Sequence, residues 1–543
     1  MKVKAFRLDW QFRAAGAALA LAAGLGATTG HTQPAPAAQS SSESGQYRDV
    51  VVDAGKSIGS IKPLTGFTGG RKGSAAKLAL MRQIGITTWR THDTGALDIT
   101  GTSESAIFPD LSADADNPAN YRFEASDAQM LQIVEEGSVP FVRLGNGHDP
   151  AVPSDYKKYA KVLEHILRHY NQGWDNGYHM NLKVFEIWNE PDMSKASTTM
   201  GGRFWTGTPQ QFYELYGVID QTVRKVVPDA VVGGPGQVGN GSDYRSDFFK
   251  YLKQHQIKLD FYSFHWYDVP SSNPNNVNRI AADLNRDLEA AGFRNVPLVV
   301  SEWGYDLFDP TAKPTQLAAY TSAILTYMQS STIAQQYLEV LNIGKGGHVF
   351  EGDALSPAGY AYGATTSMLA TPERLAVTGD DNIGFAVLAG AATPTSTDTQ
   401  EEIRVLITNY EIPVQDRGPI PDGPVPGLKA SVTNNVLCGD LPACYHIPPR
   451  ISPTYARNSG YNLTVANLPA WADRGYTVTR YRIDGTKNLE QVNQTSGSGR
   501  TLKIAASLPA PGVELVVIRG AKAPAATALG IWSLPHHWNG LAR

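Results

Sequence analysis

The chain has 543 residues, 42% of them hydrophobic and 18% charged, with a formal net charge of −4. That is too long for one ordinary core and too apolar for a disordered chain, so two or three domains are expected. No basic run suits a nucleic acid, and no apolar stretch reaches the ~20 residues that a spanning helix needs, so neither nucleic acid nor a membrane anchor is expected as a partner.

Residues 1–38 place Lys2, Lys4, Arg7 and Arg13 ahead of an Ala/Leu/Gly run from Ala14 to about Ala27. This pattern reads as a secretory signal peptide cleaved near Ala37 or Ala38, followed by a linker at 39–46, and it predicts a secreted or periplasmic protein. Without those 38 residues the formal charge is −7. The segment "YRDVVVDAG" begins a strand within residues 47–60 that is expected to pair with a C-terminal sheet. From 61 to 370 short apolar runs alternate with helical patterns. Strands are read at 64–67, 87–93, 139–146, 183–190, 230–236, 261–268, 297–303 and 346–352. Stretches such as "DYKKYAKVLEHILRHY" and "NRIAADLNRDLEAAG" are long enough to return a parallel strand to the same end. The fold class expected is α/β, a (β/α)₈ TIM barrel with its site at the strand C-terminal ends, joined to an accessory C-terminal β-sandwich at 371–525. Residues 526–543 read as a tail. Cys438 and Cys444, close together in "CGDLPAC", are expected to form a disulfide in an exported protein.

Polar groups collect where these strands end. In "VFEIWNEPDM" period-2 alternation puts Glu186, Trp188 and Glu190 on one face, and Pro191 is expected to keep Glu190 extended. Arg90 and His92 share a face on the second strand, as do His265 and Tyr267 on the sixth, while Glu302 and Trp303 close the seventh. Two carboxylates on either side of a sugar ring can cleave a glycosidic bond, one as proton donor and one as nucleophile. Asn189 suits a sugar hydroxyl, Tyr267 suits the nucleophile, and Trp188, Trp266 and Trp303 suit the apolar face of a sugar ring. Glu186, lower on its strand, suits a structural ion pair or a hydrogen-bonded role. No His-Glu-x-x-His helix or comparable ligand set points to a metal, and no cofactor is expected.

"FEIWNEPD", "RTHD", "FHWY" and "SEWG" on the fourth, second, sixth and seventh strands resemble the clan A retaining glycoside hydrolases, and most of all family 39, which contains β-xylosidases and α-L-iduronidases. The resemblance covers about residues 50–400. It implies that Glu190 is the general acid/base, with Asn189 the residue before it, that Glu302 is the nucleophile, and that His92, His265 and Tyr267 line the sugar subsite. Arg90 and Trp303, from their place at the strand ends, are also expected to bind substrate. The acidic loop after the second strand departs from the family's xylosidases. The expected function is therefore a secreted retaining glycosidase, exo-acting and β-xylosidase-like, with an oligo- or polysaccharide as its partner. The rivals are endo action on an exopolysaccharide, release of arabinose-type units, and, from another class, a non-catalytic carbohydrate-binding protein.

Overall fold

Short apolar runs that alternate with amphipathic helices close into a barrel. In the computed structural model the described residues are 46–69, 75–92, 98–100, 106–146, 149–193, 204–238, 242–268, 273–305, 313–339, 349–392, 401–411 and 458–521. All fall within one compact unit, Gly45–Arg543. After β1 (Gln46–Ser60), eight strands form the barrel: β2 (Gly66–Thr68), β3 (Thr88–Arg90), β4 (Val139–Leu144), β5 (Val184–Ile187), β6 (Val231–Gln237), β7 (Phe261–Asp268), β8 (Leu298–Tyr305) and β9 (Ile333–Glu339). Every neighbouring pair is parallel, and β9 closes onto β2. The helices α1 (Ala75–Gln83), α2 (Glu124–Glu135), α3 (Tyr156–Gln172), α4 (Pro209–Val226), α5 (Ser242–Gln254), α6 (Asn276–Ala290), α7 (Pro314–Met328) and α8 (Pro357–Thr366) follow their strands in turn.

Local chemistry sets the helix ends. Asp155 caps α3 by accepting from the N–H groups of Lys157 and Lys158, and Gly173 ends it at φ 72°. Thr208 and Gln211 form a capping box at α4, with Pro209 in the first turn. Inside the barrel, Phe141, Val184, Phe261, Val299 and Tyr337 make an apolar floor. The alternate residues of the same strands, among them Val142, Phe185, Phe264 and Val300, face outward into the core shared with the helices. One row of side chains therefore points up from the floor toward the C-terminal mouth.

The eighth barrel strand is not at 346–352 but at Ile333–Glu339. Gln335 and Gln336 interrupt its apolar run and hide it from a hydrophobicity reading, yet both are fully buried. Their side-chain amides donate to the carbonyls of Pro63, Leu64 and Gly66 at 3.2, 3.0 and 3.1 Å, latching the last strand to the start of the first. Phe350–Glu351 (β10) instead pairs with Ala354–Leu355 (β11) as a separate hairpin.

Beyond α8 the chain builds β12 (Glu373–Thr378), β13 (Phe385–Ala391), β14 (Glu402–Asn409), β15 (Asn458–Ala466), β16 (Tyr476–Ile483), β17 (Asn488–Gly497), β18 (Leu502–Ser507) and β19 (Gly512–Gly520). With β1 they form one sheet in the order β17-β16-β19-β14-β13-β12-β1-β15-β18. β1 lies antiparallel to β12 and parallel to β15. The sheet folds over on itself. β15 and β19 are five positions apart, about 24 Å in a flat sheet, yet Tyr461 on β15 donates a hydrogen bond to Glu514 on β19. The inner face encloses Val52, Val387, Val405, Leu463, Val478 and Ile518. The outer face of β13, β14 and β19 supplies Leu388, Leu406 and Leu515 to the barrel's own core. Ser322 on α7 bonds Thr408 at 2.6 Å across this junction, so β13 and β14 are buried at every position. Cys438, Cys444 and residues 1–38 lie outside the described residues. No helix among the described residues is long and apolar enough to cross a membrane.

Candidate active site

β5 stops at Ile187, and the expected extended path to Glu190 is not followed. Trp188 and Glu190 both adopt left-handed backbone, at φ 75° and φ 48°. Bonds from the flanking strands impose the turn: the N–H of Trp188 donates to the Leu144 carbonyl at 2.7 Å, and that of Glu190 to the Gly236 carbonyl at 3.0 Å. Trp188 swings out of the barrel as a result. Its indole donates to the Phe204 carbonyl at 2.9 Å and meets Trp205 edge-on at 5.3 Å. The Glu190 carboxyl turns instead toward the mouth of the barrel, where it is 5% exposed.

Glu302 reaches the same place by a break in alternation. Leu298 and Val300 face outward and Val299 faces the floor, so strict period 2 would send Glu302 outward. But Val300 pairs with Phe264 while Glu302 pairs with His265, leaving Ser301 as an extra residue. This β-bulge moves Glu302 into the inward row beside His265 and Tyr267. Trp303 then pairs with the outward Trp266 and joins the core with no exposed surface, its indole N–H on Gln336. Trp188, Trp266 and Trp303 all belong to the main core, so the expectation that they present faces to a sugar is corrected.

The polar groups of the inward row meet in one network. His265 Nδ1 lies 2.7 Å from Glu190 Oε1 and 3.7 Å from Glu302 Oε2. The hydroxyl of Tyr267 donates to Glu302 Oε1, and His92 Nε2 lies 3.7 Å from Glu302 Oε2. Arg90 sits below with no exposed surface, its Nε on Glu186 at 2.6 Å, Nη1 on Glu302 at 3.2 Å and Nη2 on Asn189 Oδ1 at 2.8 Å. Arg90 was expected to bind substrate; its fork is instead committed to protein groups, and Glu186 is its ion-pair partner.

Donor and acceptor roles follow from these contacts. A guanidinium can only donate, so Asn189 turns its oxygen to Arg90 and leaves its buried Nδ2 without a protein acceptor. By the same logic His265 Nε2, 3.5 Å from Arg90 Nη2, is the acceptor nitrogen, and the Nδ1 proton is the one offered to Glu190. Burial raises the Glu302 carboxyl above the ordinary carboxylate value and the Glu190 charge adds to it, while His265, Arg90 and Tyr267 act the other way. Burial works against the charge on Arg90, but Glu186 and Glu302 outweigh it and raise its affinity for the proton. Glu190, His265 and Glu302 each offer a ligand atom within 4.8 Å of the others, the geometry of a small metal site. The set does not fit one, because the Arg90 cation already sits on Glu302 and against His265.

Sequence reasoning missed Gly236, Ser263 and Ser301. Glycine inside "GGPG" is a bulge signal, and Ser263 lies in the inward row between Phe261 and His265. Nothing local marks the bulge at Ser301.

A sequence profile of the glycosyl hydrolases family 39 matches residues 78–344. The β-xylosidase of Geobacillus stearothermophilus is 23% identical over 192 residues, 32% of this chain, and the match spans only 36% of that relative's length. Among solved structures, a glucosidase from Croceicoccus marinus is 31% identical with a TM-score of 0.73, over 88% of this chain and 100% of that one. The GH39 enzyme from Xanthomonas axonopodis pv. citri, 14% identical with a TM-score of 0.59 over 88% of this chain and 98% of that one, shares the fold.

Proposed function

Because the chain belongs to glycosyl hydrolases family 39, we propose that it is a retaining exo-glycosidase in which Glu190 is the acid/base and Glu302 the nucleophile. The observation that carries this is the meeting of two nearly buried carboxyls, one just beyond β5 and one on β8, with oxygens within 4.8 Å. Retaining enzymes hold their carboxyls about 5–5.5 Å apart, whereas inverting ones need roughly 6.5–9.5 Å to admit a water.

In the first step a Glu302 oxygen bonds to the anomeric carbon as the bond to the leaving oxygen breaks, and Glu190 gives its proton to that oxygen. A glycosyl ester on Glu302 results. In the second step Glu190, now a carboxylate, takes a proton from water as the water oxygen attacks the anomeric carbon and frees Glu302. Tyr267 and Arg90 hold the Glu302 carboxylate in the ionised form that attack requires. Asn189, its amide oriented by Arg90, offers Nδ2 to a sugar hydroxyl, and His92, with Nε2 3.7 Å from Glu302 Oε2, belongs to the same subsite.

The curated β-xylosidase relative supports xylosides as substrates, and the Croceicoccus glucosidase, 31% identical along its whole length, supports glucosides as the second choice. Endo action on an exopolysaccharide and release of arabinose units remain the rival outcomes. A panel of nitrophenyl glycosides decides the sugar, and defined oligosaccharides decide the mode. Monosaccharide release with proton NMR showing the starting anomer first supports the proposal. Inverted first product, or no turnover on any glycoside, overturns it. Export through residues 1–38 and a Cys438–Cys444 disulfide belong to the same proposal; N-terminal sequencing of the mature protein and titration of free thiols test them.

A further inference from the structure

We propose that Ser263 is a positioning residue for Glu190, acting through the bulged backbone of Gly236; this rests on the acid/base role given to Glu190 above. β6 carries its own bulge. Pro235 pairs with Ser263 and Gln237 with Phe264, which leaves Gly236 as the extra residue, at φ 63°. A residue displaced from a ladder loses its strand partners, so a buried one must satisfy its N–H and C=O elsewhere. The N–H of Gly236 donates to Ser263 Oγ at 2.8 Å, and its carbonyl accepts from the N–H of Glu190 at 3.0 Å. The serine hydroxyl sets the bulge, and the bulge carbonyl sets the catalytic backbone.

Glu190 depends on such a hold. Its φ of 48° is one that a residue other than glycine keeps only when its surroundings enforce it. Glycine suits position 236, since at φ 63° a Cβ would lie 3.2 Å from His265 Nε2 and 3.4 Å from Glu186 Oε1, crowding the network. Ser263 is fully buried in the inward row below the mouth, so its effect on the reaction is indirect. Without the hydroxyl the Gly236 N–H has no acceptor, the bulge relaxes, and the Glu190 carboxyl moves off His265 Nδ1. Proton transfer then suffers while attack by Glu302 does not.

The test is Ser263→Ala in the full chain, assayed on two aryl glycosides of the sugar that the wild type cleaves. The phenyl glycoside needs a proton on its leaving oxygen, and the 2,4-dinitrophenyl glycoside does not. The expected loss in kcat/KM is roughly 10- to 100-fold on the phenyl glycoside and within about twofold on the dinitrophenyl glycoside. Equal losses on both, or none on either, overturn the proposal. A crystal structure of the variant gives a readout that needs no turnover: Glu190 displaced from His265 supports the clamp, and Glu190 unmoved overturns it. A wild type inactive on every glycoside would count against the hydrolase assignment alone, and the crystal structure would still decide the role of Ser263.

Discussion

Two buried glutamates in this protein are held by the same kinds of partner but in different balances of charge. Glu514, in the folded-over sheet, is fully buried and accepts from Tyr461, from Arg480 at 2.6 Å and from Arg482 at 2.6 Å. Glu302, in the barrel, accepts from Tyr267 and from Arg90 at 3.2 Å. Around Glu514 two guanidiniums serve one carboxylate, and the cluster is a staple between the two halves of the sheet. Around Glu302 one guanidinium is divided between Glu186 and Glu302, and a third carboxylate, Glu190, stands within 4.8 Å. A buried acid beside an arginine is thus no sign of catalysis. What marks the barrel site is the shortage of positive charge, which makes ionisation of the second acid costly, together with an opening that leaves Glu302 9% exposed.

The comparison breaks most sharply if the two glutamates are removed in turn. Glu302→Ala should lower kcat by roughly 10⁴-fold or more, with azide restoring turnover and giving a product of inverted configuration. Recovery by azide with retention would show the nucleophile misassigned. Glu190→Ala should cost roughly 10²–10⁴-fold on glycosides with poor leaving groups. Dinitrophenyl glycosides should still form the intermediate, which azide converts to a retained product; NMR of the first-formed species separates these fates. On the other side, Glu514→Gln leaves Arg480 and Arg482 short of a partner and should lower stability by about 3 kcal/mol, seen as an earlier urea midpoint. Its kcat/KM should match the wild type, and a loss of activity at full stability would erase the contrast.

The smallest effect is a shift in pH dependence. As the proposed nucleophile, Glu302 must be ionised to attack, so kcat/KM is expected to fall as pH drops through its pKa. Burial has raised that pKa, which places the acid limb above the ordinary carboxylate range. The Tyr267 hydroxyl favours the charged form, so Tyr267→Phe raises the pKa further and moves the acid limb to higher pH. A limb that stays put, or moves to lower pH, would assign it to another group.

Much of the site was legible because alternation is a property of consecutive residues. Arg90 at the end of β3 with His92 just beyond it, and His265 with Tyr267 on β7, could be placed on the inward row by counting in twos. The tryptophans were misread as sugar-facing, although the same count already placed one of them outward. Trp266 lies between two inward residues and so had to face the helices, whereas Trp303 faces them only because the bulge at Ser301 shifts the count by one. Glu186 was read as one half of an ion pair or as a hydrogen-bonded group, since a buried carboxylate demands a partner. Its partner could not be named, because Arg90 is on another strand.

The sequence by itself determined the repeating strand-helix order, the strand-like character of 47–55 and of the segments after residue 368, and the identities of the two glutamates at strand ends. Only the tertiary structure decided how those glutamates come together. The bulges at Gly236 and Ser301, the left-handed turn at Trp188 and Glu190, the closure of the barrel by a strand carrying Gln335 and Gln336, and the folding of one sheet until Tyr461 reaches Glu514 all depend on hydrogen-bond partners remote in the chain. Side-chain periodicity follows from a residue's immediate neighbours. A ladder's register and the satisfaction of a buried polar group are settled only when distant strands meet.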